Sequence, residues 1–218
     1  RFNAIVARGT YNRHTMSEVL EYQMGFDINW ENAIGDRIQN KTDQMADYAA
    51  FIILKWRANE HIMIQPALRA AYNTKYNAPL APSVNAKFNW RKNQLRLSYA
   101  RGFRAPSLKE LYLDFTDSNH ELEGNPDLEA ENSHNFNLAY HFNTKIKRRP
   151  FDAKFTLFYN QIFNQIKLIQ VDPGNAIHYR NENIEGQSES LGGTVGFTMN
   201  PLEFMSLELA YSNTGVRY

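Results

Sequence analysis

Polar and apolar residues trade places one by one along most of this chain. From Leu20 to Trp30 the even positions are Leu20, Tyr22, Met24, Phe26, Ile28 and Trp30, and the odd ones are Glu21, Gln23, Gly25, Asp27 and Asn29. Alternation at period two puts the two sets on opposite faces of a β-strand, one greasy and one wet. Tyr48, Ala50, Ile52, Leu54 and Trp56 repeat the pattern. An aromatic stands near each end of about nine residues, the length at which a tilted strand crosses a bilayer between two aromatic girdles.

Further strands follow with the same alternation. Their apolar faces read Ile62, Ile64, Pro66, Leu68, Ala70, Tyr72; Leu80, Pro82, Val84, Ala86, Phe88, Trp90; and Leu95, Leu97, Tyr99, Phe103. Beyond these come Phe136, Leu138, Tyr140, Phe142; Phe151, Ala153, Phe155, Leu157, Tyr159; Leu191, Val195, Phe197, Met199; and Leu207, Leu209, Tyr211. With a weaker segment at Phe2 to Val6 the pattern predicts about ten strands. Pro66 and Pro82 each remove a ladder donor and predict a bulge or local irregularity.

Connection lengths give a second, independent signal. Arg57 to Glu60, Arg91 to Asn93 and Asn200 to Glu203 read as tight turns, whereas Glu31 to Gln44, Asp114 to Ala130 and Asn164 to Gln187 read as long polar loops, with Asn73 to Pro79 between the two classes. Short turns at one rim and long loops at the other are the habit of outer-membrane barrels. The expected fold class is therefore all-β, an antiparallel transmembrane β-barrel segment of about ten strands spanning residues 1–218. Tyr22, Leu54, Leu68 and Phe155 are expected to face lipid. A soluble β-sandwich would alternate too, but its strands average about five or six residues and carry no aromatic ends.

Composition agrees with this and removes other classes. Aromatics reach 13% in a chain whose mean hydropathy is negative, so rings and polar groups must be separated on a fine scale. The longest apolar run is Tyr48 to Leu54, well short of the roughly 18 residues of a membrane-spanning helix. With no cysteine, disulfides, thiolate metal sites and cysteine nucleophiles are out of reach. The 24 basic and 23 acidic residues appear spread along the chain and lend no support to nucleic-acid binding. The first residues show no secretory signal pattern.

One pair of motifs names a family. Gly102-Phe103-Arg104-Ala105-Pro106-Ser107 ends a strand, and Asn125-Pro126-Asp127-Leu128 precedes the next. Together they resemble the mid-barrel region of TonB-dependent outer-membrane receptors, and a milder resemblance continues through Tyr179-Arg180-Asn181-Glu182-Asn183 and Gly186. The resemblance implies a roughly 22-stranded barrel plugged by an N-terminal domain. About ten strands are less than half of that, so the plug domain and the energy-coupling residues are expected to lie outside this chain. It further implies uptake of a scarce nutrient chelate (ferric siderophore, haem or cobalamin) driven from the inner membrane through TonB. The expected partners are therefore TonB with its energising complex, the small-molecule chelate and outer-membrane lipid, with no nucleic acid. No resident cofactor or metal site is expected, haem or a ferric chelate entering only as cargo.

Candidate ligand contacts lie on the segment between the two motifs: Arg104, Tyr112, Asp114, Asp117, His120 and Glu123. His120 is the sharpest, since haem receptors of the family place a histidine between these boxes and an imidazole can ligate haem iron. Solvated loop polarity explains the same residues without a ligand. By parity Arg101 emerges at headgroup level, and Arg104 points inward, toward an anionic ligand or a cross-strand partner. His134 and His141 read as lumen or rim residues, and Gly192-Gly193, inside a strand, as a site of coiling rather than a phosphate loop. Two alternatives stay open: a ten-stranded outer-membrane protease using Asp114, Asp117 and His120, and a passive porin or adhesin barrel.

Overall fold

The computed structural model describes residues 1–14, 19–119, 121–172, 174 and 177–218. The chain begins with β1 (Phe2–His14), β2 (Leu20–Ile34), β3 (Thr42–Arg57), β4 (Ile62–Asn73), β5 (Ala81–Trp90) and β6 (Asn93–Arg104). A short helix α1 (Leu108–Tyr112) and two small strands, β7 (Phe115–Thr116) and β8 (Glu121–Glu123), lead to β9 (Glu131–Ile146) and β10 (Arg149–Phe163). A second small pair, β11 (Ile166–Gln170) and β12 (His178–Asn183), precedes β13 (Gln187–Leu202) and β14 (Met205–Arg217). The long strands form one antiparallel ten-stranded sheet in the order β1-β2-β3-β4-β5-β6-β9-β10-β13-β14.

Register holds the apolar positions side by side. Trp56, Ile64, Ala86, Leu97, Leu138, Leu157 and Gly193 are successive cross-strand partners from β3 to β13. A slip of one residue would turn such a row to the wet face, so the pattern fixes the pairing. Leu68 and Phe155 stand in such rows 41% and 42% exposed, with Tyr22 and Leu54 opposite one another between β2 and β3. An apolar face this broad, left open to its surroundings, needs lipid to cover it. The strands of this sheet run from 10 to 16 residues, too long for an ordinary sandwich.

Of the two outcomes predicted for the prolines, the local irregularity occurs and the bulge does not. Pairing of β3 with β4 lapses opposite Pro66, between Ile53↔Ala67 and Trp56↔Ile64, and resumes in unchanged register, while β5 pairs through both Pro66 and Pro82. The missing N–H therefore interrupts one ladder without inserting a bulge. The irregularity that does shift register lies between Met199 and Leu202, against β14.

The two rims differ in kind. At one, β3–β4, β5–β6, β9–β10 and β13–β14 close through short turns. At the other, the segments read as loops carry structure of their own. β7, β8, β11 and β12 form a separate four-stranded sheet in the order β11-β12-β8-β7, whose β8–β12 pairing is parallel. The strands β2 and β3 also reach further than their alternation shows, leaving only residues 35–41 between them. Among the described residues, a buried apolar cluster sits at this rim, where Leu108, Leu111 and Tyr112 of α1 and Leu128 pack on Ala33, Ile38 and Met45.

Charge that looks evenly spread in sequence is gathered in space. Residues 105–130 at the long-loop rim hold seven acids against one lysine, whereas residues 87–96 and 141–154 around two neighbouring short turns hold nine Lys and Arg against one acid. The expectation of dispersed charge is thus corrected, because antiparallel strands bring alternate connections to the same rim.

Candidate functional site

The first motif ends β6 and turns the chain over the polar face. Gly102 faces Ser133 across β9 so closely that an added Cβ would lie 2.4 Å from its Oγ. Phe103 takes the opposite face, and Arg104 returns to the polar one. Its Nε donates to Glu131 Oε2 at 2.6 Å, and its Nη1 donates to Glu110 at 2.9 Å. Ala105 and the buried Pro106 then carry the chain to Ser107, which caps α1. The Ser107 hydroxyl accepts from the Glu110 amide, and the Glu110 carboxylate accepts from the Ser107 amide at 2.7 Å, a reciprocal cap. Burial works to raise the Glu110 carboxyl, and the hydrogen bonds from Arg104 and Ser107 outweigh it, holding the group below the ordinary glutamate range.

The second motif is locked beneath this helix. Gly124 passes so near the α1 end that a Cβ would lie 2.7 Å from the Leu111 carbonyl oxygen, which restricts the position to glycine. Asn125, 3% exposed, donates its amide N–H to Glu110 O and its side-chain Nδ2 to Asn181 O and Glu182. Its Oδ1 accepts from Arg180 Nη2 and from the Asp127 amide. Pro126 and Asp127 stay exposed at the turn, while Leu128 enters the apolar cluster. Tyr76 reaches over from the β4–β5 connection and donates to Leu128 O at 3.0 Å. Burial, with Tyr112 and Glu110 adding to it, pushes the Tyr76 phenol up to about 12.

Asn183 stitches the same two segments again. Its Oδ1 accepts from the Glu129 amide, and its Nδ2 donates to Glu129 O and Asn164 O. The Tyr179-Arg180-Asn181-Glu182-Asn183 segment and the Asn-Pro-Asp-Leu box are therefore one assembly. Each is visible in the sequence, but no local signal there shows that they touch.

The predicted ligand contacts separate into two groups. Arg104, Tyr112 and Asp114 hold the loop together: Tyr112 is buried with its hydroxyl 2.9 Å from Lys75 Nζ, and Asp114 Oδ1 accepts from the Gly124 amide and Gln39 Nε2. Burial disfavours the Lys75 ammonium, but its hydrogen bonds to Asp43 and Tyr112 prevail and raise its pKa. Asp117 and Glu123 lie farther out, Asp117 exposed and accepting from the Asn119 amide, Glu123 on β8 facing His178 Nε2 at 3.3 Å. His120 lies outside the described residues. Asp114 and Asp117 serve turns of the loop and do not face one another across a mouth, the arrangement a protease would need.

The two histidines on β9 part company. His141 faces the polar side and pairs with Asp152, whereas His134 shares the face of Phe136 at the long-loop end, its Nδ1 3.0 Å from the Tyr99 hydroxyl, and Arg101 is its cross-strand partner. Below the loop assembly, the polar face lines an open cavity of about 770 Å³ that includes Arg8, Asp27, Asp47, Arg69 and Arg104. Arg8 and Arg69 both hold Asp27, Arg104 is held by Glu110 and Glu131, and Glu31 and Asp47 lie on the same wall, so its charges are mixed. Among the described residues no group of three or more His, Asp or Glu is set to hold a metal ion.

With this geometry in hand, comparison with known proteins is direct. The family model described as TonB dependent receptor-like, beta-barrel matches residues 2–218. A probable hemoglobin and hemoglobin-haptoglobin-binding protein 1 of Haemophilus influenzae is 31% identical over 89 residues, covering 39% of this chain and 8% of that protein. The siderophore receptor PirA from Pseudomonas aeruginosa superposes with a TM-score of 0.77 at 21% identity, over 98% of this chain and 40% of its own. The Serratia marcescens hemophore receptor HasR, solved with HasA and heme, gives 0.71 at 11% identity, over 98% and 41%. This chain thus spans well under half the length of each.

Proposed function

Because the chain belongs to the TonB-dependent receptor β-barrel family, a family of outer-membrane transport receptors and not enzymes, we propose that it forms part of the wall and outer mouth of an uptake receptor for an iron-bearing chelate. In this reading the apolar rows meet lipid. The polar face lines the path, and the assembly of α1 with the small sheet roofs part of the entrance. Cargo is a ferric siderophore or haem, captured from outside, with TonB and its inner-membrane partners supplying the energy. The observation that carries the reading is the family match over 2–218 on a sheet whose loops fold over a polar wall. The exposed edges of Arg8 and Arg69 on that wall suit anionic groups of a ferric chelate or the propionates of haem.

The two cargo classes have different support. Sequence likeness to haemoglobin-binding proteins favours haem, and the fold is shared by siderophore and hemophore receptors alike. Asp117 and Glu123, with His120 beside them in sequence, are the proposed outer contacts; Arg104 is proposed to act on cargo only through its exposed edge. Titration of the intact receptor with haem, ferric enterobactin and cobalamin, followed by fluorescence quenching, should give saturable binding for one iron compound. Uptake of that compound should stop when TonB is removed. Binding of none of the three, or uptake that persists without TonB, sinks the proposal.

A further inference from the structure

The β5–β6 and β9–β10 hairpins are neighbours because β6 pairs with β9. The nine cations of residues 87–96 and 141–154 face a single carboxylate, Asp152, already held by His141 and 3.5 Å from Lys154 Nζ. Arg91, Lys145, Lys147, Arg148 and Arg149 make no ion pair among the described residues. The other acids of this rim stand on different turns: Glu60 lies 3.5 Å from His61, and Glu203 is on the β13–β14 turn.

The position of these cations along the strands is set by aromatic rings. Trp90 and Tyr140 lie 6.5 Å apart, Phe142 and Phe151 6.5 Å, and Phe151 and Phe197 6.3 Å, a belt on the apolar face next to the short turns. Such belts mark the boundary between hydrocarbon and headgroups. Arg149 stands opposite Ile146 and two residues before Phe151, hence on the same face one row nearer the rim. Lys147 and Arg148, both with positive φ, form the tip just beyond it. Cationic side chains at that depth meet the phosphates of the lipid.

We propose that this paired-hairpin rim binds the phosphate groups of anionic glycerophospholipids in the periplasmic leaflet, with Arg149 reaching along the aromatic belt and Lys147, Arg148 and Arg91 gathering headgroups at the tips. The proposal rests on the membrane placement above. Because the outward Arg149 continues a lipid-facing row, the chemistry fits a headgroup better than a soluble polyanion, which would use only the tips.

The test uses the intact receptor in phosphatidylcholine vesicles containing either brominated phosphatidylglycerol or brominated phosphatidylcholine, with tryptophan fluorescence as readout. The wild type is expected to prefer phosphatidylglycerol by at least roughly fivefold, the worth of one well-placed cation. That preference should fall toward unity in the K147Q/R148Q/R149Q variant. Equal quenching of the wild type by the two lipids overturns the proposal and leaves the membrane placement standing, whereas quenching by neither overturns the placement. Should the triple variant fail to insert, a wild-type preference unchanged on raising salt to about 0.5 M, where surface charge is screened, overturns it as well. So does displacement of the lipid by soluble polyglutamate, which would assign the patch to an acidic polymer.

Discussion

Asn125 and Asn181 lie 56 residues apart in sequence and 2.8 Å apart in space, the Nδ2 of the first donating to the main-chain oxygen of the second. This bond joins the loop after β6 to the loop after β10. Asn125→Ala removes it together with the acceptor for Arg180, leaving a buried carbonyl without a partner at a cost of about 1–3 kcal/mol. The loss should be local. Amide exchange across residues 178–183 is expected to quicken about tenfold or more, with Leu138 and Leu157 unaffected; unchanged exchange in β12 would show that the contact holds nothing.

The cap on α1 should be sensitive to acid. Glu110 titrates below its ordinary range in the folded protein, so its contribution is complete above the unfolded pKa and is lost as pH falls through the folded one. Protection of the Leu111 amide, which donates to Ser107 O at 3.1 Å, should therefore decline below about pH 4. Glu110→Gln should weaken that protection at neutral pH and flatten its pH dependence. A wild-type profile that stays flat through this range contradicts the assignment.

Tyr76 makes the opposite alkaline prediction. Its folded pKa, near 12, lies above the unfolded one, so its contribution is whole below the unfolded value and fades as pH rises through the folded value. A difference titration at the phenolate absorption band, wild type minus Tyr76→Phe, should show one tyrosine ionising near 12. Ionisation of that component at the ordinary tyrosine value would mean that Tyr76 is not packed under the loop.

The two faces of the sheet should answer differently to the same charge. Leu138→Arg, in the middle of an apolar row, is expected to cost about 2–4 kcal/mol of stability in lipid, whereas Thr156→Arg on the polar face should cost little. Urea titration of the refolded receptor in vesicles measures both. Equal costs would remove the distinction between lipid and lumen on which the proposed function depends.

The architecture was legible because it is local. Alternation at period two, aromatic ends and turn lengths are properties of neighbours in sequence, and they located each long strand, from the weak Phe2 to Val6 segment to Leu207 to Tyr211, and put Leu68 and Phe155 on the open apolar face. The family motifs were legible for a similar reason, since each is a short contiguous string. The helix Leu108–Tyr112 and the small strands Phe115–Thr116, Glu121–Glu123, Ile166–Gln170 and His178–Asn183 were not, being too short to show a period.

What only the tertiary structure decided is which distant residues meet. Pairing β6 with β9 and β10 with β13 carries two remote loops to one rim, where Asn125 finds Asn181, Asn183 finds Glu129, and Arg104, read as a ligand contact, finds Glu110 and Glu131. The same pairing sorts a nearly neutral chain into an acidic rim and a basic one. The physical reason is that a strand's pattern fixes its two faces, whereas contacts between loops depend on strand order and register, which are summed over many pairings and written in no single stretch of sequence.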